Sequence, residues 1–376
     1  MEALKIRGGK PLKGSIEVSG AKNAITKLLV ASLISDKKCI FTNVPDILEV
    51  DTTLSFCSEL GMDYTWDKEK KIIEACTKTL SSVYIPQRFS GANRIPILAI
   101  GALLGRTNDD IIVPTAGGCR IGKRPIDFHI AALEQLGAHI EYRNMKKEGA
   151  YFAHAHHGLK GTLITLPYPS MGATENTILA ACRAKGMTVI KNAAIEPEVI
   201  DLILFLQKLG VRITVDTDRT ICIHETQTFR EVKHHVLTDR LQVASFAMAA
   251  IATNGRVFIK GAKQRDLIPF LNKLIELGAG FDVEEGGITF FGAKKLSGGL
   301  HIETDVYPGF ATDWQQPFVV LLTQAEGLSL IHETVYENRF GYTDTLLAMG
   351  ADINLFNHCL GSKPCRFAHK NYPHSL

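Results

Sequence analysis

The stretch Val257-Phe258-Ile259-Lys-Gly-Ala-Lys-Gln-Arg-Asp-Leu267-Ile-Pro-Phe-Leu271-Asn-Lys-Leu274-Ile275-Glu-Leu277-Gly278-Ala-Gly-Phe281-Asp-Val283 reads as strand, helix, strand. Val257 to Ile259 is a short apolar run, Leu267, Leu271, Leu274 and Ile275 recur at helical spacing, and Phe281-Asp-Val283 alternates. Gly278 falls where the helix ends, so it is predicted to take a positive φ and close the last turn. The same phrase recurs around Gly61, Gly137, Gly210 and Gly350, with intervals of 76, 73, 68 and 72 residues. Five copies of one structural unit are therefore predicted.

A second helix opens each copy, at Gly20-Ala-Lys-Asn, Gly91-Ala-Asn-Arg, Gly172-Ala-Thr-Glu, Asp239-Arg-Leu-Gln and Thr312-Asp-Trp-Gln. A βαβ-type unit of this size cannot bury its apolar faces alone, so several must share a centre. The fold class is α/β, built from repeats. Residues 20–237 hold three of them and form one expected domain. Units four and five begin near 238, and the first 19 residues are free to join them, so residues 1–19 with 238–376 form the other. Symmetry asks for a sixth marker glycine well past Leu376, and this second domain is read as incomplete.

Composition narrows the function. A chain of 376 residues with 45% hydrophobic and 22% charged residues is an ordinary globular one. Its net charge of +3 lacks the footprint of a nucleic-acid binder, and no Lys/Arg run suggests an anionic membrane partner. No apolar stretch approaches the roughly 18 residues of a spanning helix, and the N-terminus lacks the apolar core of a signal peptide, so a cytoplasmic location is expected. Eight singly scattered cysteines read as reduced thiols. His154, His156, His157, His234 and His235 lie beside predicted strands without carboxylate or cysteine at ligand spacing, and no metal is expected there. Neither a Walker loop nor a Gly-x-Gly-x-x-Gly fingerprint occurs.

Loops that precede helices expose unpaired N–H groups and a positive dipole end, which gather anions. Lys22 and Asn23 stand at the first such start, where lysine can neutralise a phosphate; the same pair also suits a solvated lysine and a capping asparagine. Pro114 to His129 is the most unusual segment: Gly117, Gly118 and Gly122 loosen the backbone while Arg120, Lys123 and Arg124 surround the Cys119 thiol with positive charge, which favours thiolate. Arg124 and Arg94 can make forked contacts with phosphate. Asp313, at the start of the fifth unit's first helix, can take a proton from a hydroxyl or serve as an N-cap.

These residues resemble a known family. Ser19-Gly-Ala-Lys-Asn-Ala24, Gly117-Gly-Cys-x-Ile-Gly-x-Arg-Pro-x-Asp-x-His129, Ser170-Met-Gly-Ala-Thr174, Asn192-Ala-Ala-x-Glu-Pro-Glu198, Thr312-Asp313 and Glu333-Thr-Val-x-Glu-Asn-Arg-Phe340 are similar, in order, to motifs of UDP-N-acetylglucosamine 1-carboxyvinyltransferases, the enolpyruvyl transferases of peptidoglycan synthesis. The resemblance implies two inside-out α/β barrels of three repeats each, closing over phosphoenolpyruvate and UDP-N-acetylglucosamine. It implies transfer of the enolpyruvyl group to the sugar 3′-hydroxyl with release of phosphate, and no cofactor or metal. Carried over, Cys119 is the general acid and Asp313 the base; Lys22, Asn23 and Arg124 hold phosphoenolpyruvate. Arg94, Arg124, Pro125, Ile126, Asp127, Phe128, Ser170, Met171, Gly172, Asp313 and Val335 line the nucleotide-sugar site, and His129 and Arg339 support it. Cys119 is then also the expected target of fosfomycin.

The family's Asp-Leu-Arg helix start and Arg-Gly-Tyr loop have no counterpart in these residues, and Gln242 stands where relatives usually carry glutamate. Two other readings follow. One is a non-catalytic paralogue that binds UDP-N-acetylglucosamine. The other is a 5-enolpyruvylshikimate-3-phosphate synthase, which would share the barrels but not the Gly-Gly-Cys loop or the Glu-Asn-Arg-Phe run.

Overall fold

The computed structural model describes residues 5–118, 125–144, 149–293 and 295–356. The described residues of Met1–Val18 and Thr238–Leu376 form one compact unit, and Ser19–Leu237 form the other. After β1 (Lys13–Glu17), the chain enters the second of these.

Its first repeat is α1 (Lys22–Ser32), β2 (Cys39–Thr42), α2 (Leu48–Glu59), β3 (Asp63–Asp67) and β4 (Ile72–Cys76). The second repeat is α3 (Leu98–Leu103), β5 (Ile111–Pro114), α4 (Asp127–Gln135), β6 (His139–Asn144) and β7 (Gly149–His154). A linking strand β8 (Leu163–Thr165) precedes the third: α5 (Met171–Ala181), β9 (Met187–Lys191), α6 (Pro197–Leu209), β10 (Ile213–Val215) and β11 (Ile221–His224). β12 (Val232–His235) ends this unit.

The other unit repeats the order with α7 (Arg240–Ala252), β13 (Arg256–Lys260), α8 (Ile268–Leu277), β14 (Gly280–Glu284) and β15 (Gly287–Phe291). The short strands β16 (Leu296–Ser297) and β17 (His301–Glu303) lead to α9 (Thr312–Leu322), β18 (Ala325–Glu326), β19 (Leu330–His332) and α10 (Thr343–Ala348). No described helix is long and apolar enough to cross a membrane.

All five marker glycines, Gly61, Gly137, Gly210, Gly278 and Gly350, have φ between 82° and 113°, as the sequence predicts. A Cβ there would sit in a region that L-residues rarely occupy. One predicted start is displaced. Residues 91–94 make a turn in which Asn93 Oδ1 accepts the Ile95 amide at 2.9 Å, and helix begins only with the 3₁₀ turn Ile95–Ile97 ahead of α3. Pro96 explains the shift, because it suits a helix's first turn and disfavours helix before it.

Each four-stranded sheet is three antiparallel strands of one repeat plus a parallel edge strand supplied by another segment. β2 pairs antiparallel with β4 and parallel with β12; β9 pairs antiparallel with β11 and parallel with β8; β13 pairs antiparallel with β15 and parallel with β1. In the second repeat the edge is reduced to a parallel bridge from Tyr84 to Ile112 beside β5-β7-β6. The edge follows the preceding repeat cyclically in Ser19–Leu237, whose last strand β12 completes its first sheet.

Among the described residues the strands form six separate sheets rather than one closed barrel. The physical reason is the helices: α3 is buried throughout, α1 from Ala24 to Ser32 except Lys27, and α5 from Ala173 to Ala181. Within Ser19–Leu237, β9, β11 and β12 alternate buried and more exposed residues, so the sheets of that unit lie around this centre with one face toward water.

Candidate functional site

In Ser19–Leu237 the start of α1 is held by backbone contact. Gly20 lies so close to Asn43 that a Cβ would meet its carbonyl oxygen at 2.0 Å, and the Ala21 amide donates to the Leu237 carbonyl at 2.8 Å. Ala21 is the N-cap, so Asn23 does not take the capping role. Lys22 is half exposed, with Nζ 3.2 Å from Glu49 Oε1. A pair this exposed is weak.

Behind Lys22, Lys27 donates to the Asn23 carbonyl and reaches Glu175 Oε1 at 3.5 Å. Glu175 is 1% exposed, and its burial raises its pKa while the Lys27 charge opposes the rise. Next in α5, Asn176 accepts the Gly101 amide at 3.0 Å and donates to the Ile97 carbonyl and to His129 Nδ1, each at 3.2 Å. Lys27 with Glu175 thus links α1 to α5, and Asn176 links α5 to α3.

That amide also settles a tautomer. Its NH₂ group faces His129 Nδ1, which must accept, so Nε2 carries the proton of the neutral ring. Burial, with the Arg94 charge adding to it, holds His129 at about 3. The ring lies against Gly172, where a Cβ would come within 2.9 Å of Cε1. Ser170 caps α5 by accepting the Ala173 amide at 3.4 Å, and Met171 and Gly172 form its first turn. Arg94 donates to the Pro125 carbonyl at 3.3 Å, beside Ile126, Asp127 and Phe128 at the start of α4.

The loop after β5 is clamped at its base. Thr115 Oγ1 donates to the Gly149 carbonyl at 2.8 Å, and the Gly117 amide to Asn93 at 3.1 Å. A Cβ on Gly117 would overlap Gly91 at 2.1 Å. Cys119 and Arg124 lie outside the described residues. The described cysteines 39, 57, 76, 182 and 222 are free thiols. Burial pushes Cys39 and Cys182 up to about 12 and Cys57 higher still, so none of these three is an activated nucleophile.

In the other unit Asp313, in the first turn of α9, is 42% exposed and ion-paired with Arg339, whose side chain is 10% exposed. The Gln316 amide, with its oxygen toward the guanidinium, accepts from Nη2 at 3.0 Å. Ala311, not Asp313, is the N-cap. Val335 is placed by the buried Glu333, which accepts the Val335 and Tyr336 amides at 2.8 and 3.2 Å and the Thr312 hydroxyl at 2.9 Å.

Glu333 thus holds together the segment of Val335 and the residue before Asp313. Sequence reading quotes Glu333 in a motif but assigns it no role. Glu175 and Asn176 go unassigned as well, although polar residues inside an apolar helix are the signal that finds them. His234 meets buried Asp201 at 3.1 Å, a structural pair.

The sequence as a whole matches known proteins. The sequence family described as EPSP synthase (3-phosphoshikimate 1-carboxyvinyltransferase) matches residues 6–371. The UDP-N-acetylglucosamine 1-carboxyvinyltransferase of Protochlamydia amoebophila is 68% identical over 375 residues, covering 100% of this chain and 81% of that protein.

The chain belongs to the UDP-N-acetylglucosamine 1-carboxyvinyltransferase family.

A more distant member, UDP-N-acetylglucosamine 1-carboxyvinyltransferase 1 of Staphylococcus aureus, is 39% identical over 94% of this chain and 83% of its own length. Among solved structures, the enolpyruvyl transferase NikO of Streptomyces tendae matches with a TM-score of 0.80 at 20% identity, over 91% of this chain and 80% of that one. EPSP synthase of Acinetobacter baumannii matches with 0.66 at 18% identity, over 86% and 74%. At such identities these two show the fold alone, and the fold is that of the enolpyruvyl transferases.

Proposed function

We propose that this chain transfers the enolpyruvyl group of phosphoenolpyruvate to the 3′-hydroxyl of UDP-N-acetylglucosamine, releasing phosphate. The observation that carries the reading is the 68% identity to an enzyme of that name across the whole of this chain. Lys22, Asn23 and Arg124 hold phosphoenolpyruvate. Arg94, Arg124 to Phe128, Ser170 to Gly172, Asp313 and Val335 hold the nucleotide sugar.

Cys119 gives its proton to the methylene carbon of phosphoenolpyruvate, which leaves the adjacent carbon electron-poor. The sugar hydroxyl attacks that carbon while Asp313 takes the hydroxyl proton. A tetrahedral adduct results; when its methyl group loses a proton, the carbon–oxygen bond to phosphate breaks and the enol ether remains. Cations around the phosphate stabilise the charge carried through both steps.

Two features of the side chains support these roles. Asp313 is accessible and aimed by a largely buried guanidinium, which suits a base that must meet a substrate hydroxyl. Neutral His129, with its proton on Nε2, packs on the turn that would receive the sugar, where it supports the turn without adding charge.

The test is phosphate release from purified protein given both substrates, beside Cys119→Ala and beside 3-phosphoshikimate as the acceptor. Release that depends on the nucleotide sugar and on Cys119 is expected. Release with 3-phosphoshikimate instead, or nucleotide-sugar binding without turnover, would replace this reading with one of its two rivals.

A further inference from the structure

At the end of β5 opposite the Gly117–Gly118 loop, three side chains from separate segments converge. Asp110 precedes β5, His154 ends β7 and His156 follows it; one ligand atom from each lies within 4.8 Å of the other two. Sequence spacing alone gives these histidines no carboxylate. The sheet supplies one, because antiparallel pairing of Ile111 with Ala153 sets the residue before β5 beside the end of β7.

His156 is already oriented. Its Nδ1 lies 3.1 Å from the Asn108 carbonyl, which can only accept, so Nδ1 bears the hydrogen. Nε2 keeps its lone pair and lies 4.0 Å from Asp110 Oδ1. A carbonyl on the far nitrogen is the usual support of a metal-bound imidazole. His154 stacks on His156 with ring centroids 3.8 Å apart and planes 16° apart. Its Nδ1 is shielded from water and has no hydrogen-bond partner among the described residues, a condition that costs free energy until something binds it.

We propose that Asp110, His154 and His156 form a binding site for a divalent cation of the zinc class. Two imidazoles and one carboxylate suit borderline cations rather than calcium or magnesium, and water fills the fourth position. Zinc bonds of about 2.0–2.2 Å require the three ligand atoms to draw together. Asp110 and His156, both exposed, are free to make that movement, and their exposure admits the ion. The bound ion would fasten the segment before β5 to the end of β7, stapling the outer end of the sheet without entering the chemistry.

Zinc chloride titrated into chelator-treated protein against a chromogenic chelator tests this directly. One equivalent should bind at micromolar concentration, and uptake at that site should weaken at least tenfold in both His156→Ala and Asp110→Asn. Zinc should also raise the thermal midpoint of the parent by roughly a few degrees and leave both variants unmoved. Each variant alters an exposed side chain, so loss of folding does not obscure the result. Absence of saturable uptake below about 100 µM zinc would overturn the site. Affinity unchanged in either variant would overturn it as well.

Discussion

In Ser19–Leu237 the central helices meet through buried polar side chains: Lys27 with Glu175, and Asn176 with His129 and the backbone of α3. In the other unit the corresponding centre, around α7, α8 and α9, meets through rings. Phe270, Phe310, Trp314 and Phe318 form pairs with centroids 5.4–6.2 Å apart, and Arg240 lies 5.3 Å from the Trp314 ring. There the largely buried Glu333 and Arg339 hold Thr312, Asp313 and Val335 at the start of α9. The same order of helices and strands thus tolerates either kind of centre. Polar groups inside one unit link its helices, and polar groups of the other hold an accessible carboxylate at a helix start.

The sharpest way to test that division is to remove the carboxylate at that helix start. Asp313→Asn is expected to reduce phosphate release by about 10²–10⁴-fold, the range for loss of a general base, while the melting midpoint changes little. A comparable loss of stability would move Asp313 into the architectural class. Next in size is Lys27→Met, which leaves Glu175 buried without its counter-charge and should cost about 3–5 kcal/mol in denaturant unfolding. Lys27→Met with Glu175→Leu should recover most of that loss, because an apolar pair needs no compensation.

Acid gives a smaller, graded effect on the same centre. His129 has a folded pKa of about 3 against the ordinary 6.5 of histidine, so its contribution is complete above 6.5 and is lost as pH falls toward 3. Unfolding free energy should drop by up to about 2 kcal/mol between pH 6.5 and 5, and His129→Asn should flatten that slope. The smallest effect should have the opposite sign. Gln315, 1% exposed among the rings, has neither amide atom hydrogen-bonded among the described residues. Gln315→Leu is therefore expected to raise stability by about 1 kcal/mol, and a loss instead would erase the contrast between the two centres.

Local signals made the repeats legible. The five glycines all take the positive φ that their place after a helix requires, and the run from Val257 to Val283 forms the strand, helix and strand read from its periodicity. Ile275 departs from the pattern: it fits the helical spacing yet is 61% exposed, because α8 buries only its Phe270, Leu271, Leu274 and Leu277 face.

What the sequence did not reveal is non-local. Nothing near Glu175 shows that Lys27 will reach it, and nothing near β12 shows that it will complete the sheet of β2. Asp313 was legible as an acid at a helix start, but its pairing with Arg339 depends on a chain reversal that periodicity does not encode. Cys119 lies outside the described residues, which resume at Pro125 after the clamped base Thr115 to Gly118.

The borrowed edge strands also dictate an order of assembly. Ser19–Leu237 contains every strand of its own sheets, so it can mature as soon as β12 has emerged from the ribosome. β1 must instead wait for β13, since Lys13 pairs with Arg256 across the whole of that intervening unit. At about 5–20 residues per second the delay is on the order of 10–50 s, during which an early strand has no partner to shield it. Its sparse burial, with Ile16 alone half-buried and the rest exposed, and its Lys13, Gly14 and Glu17 suit a segment that must stay soluble while unpaired.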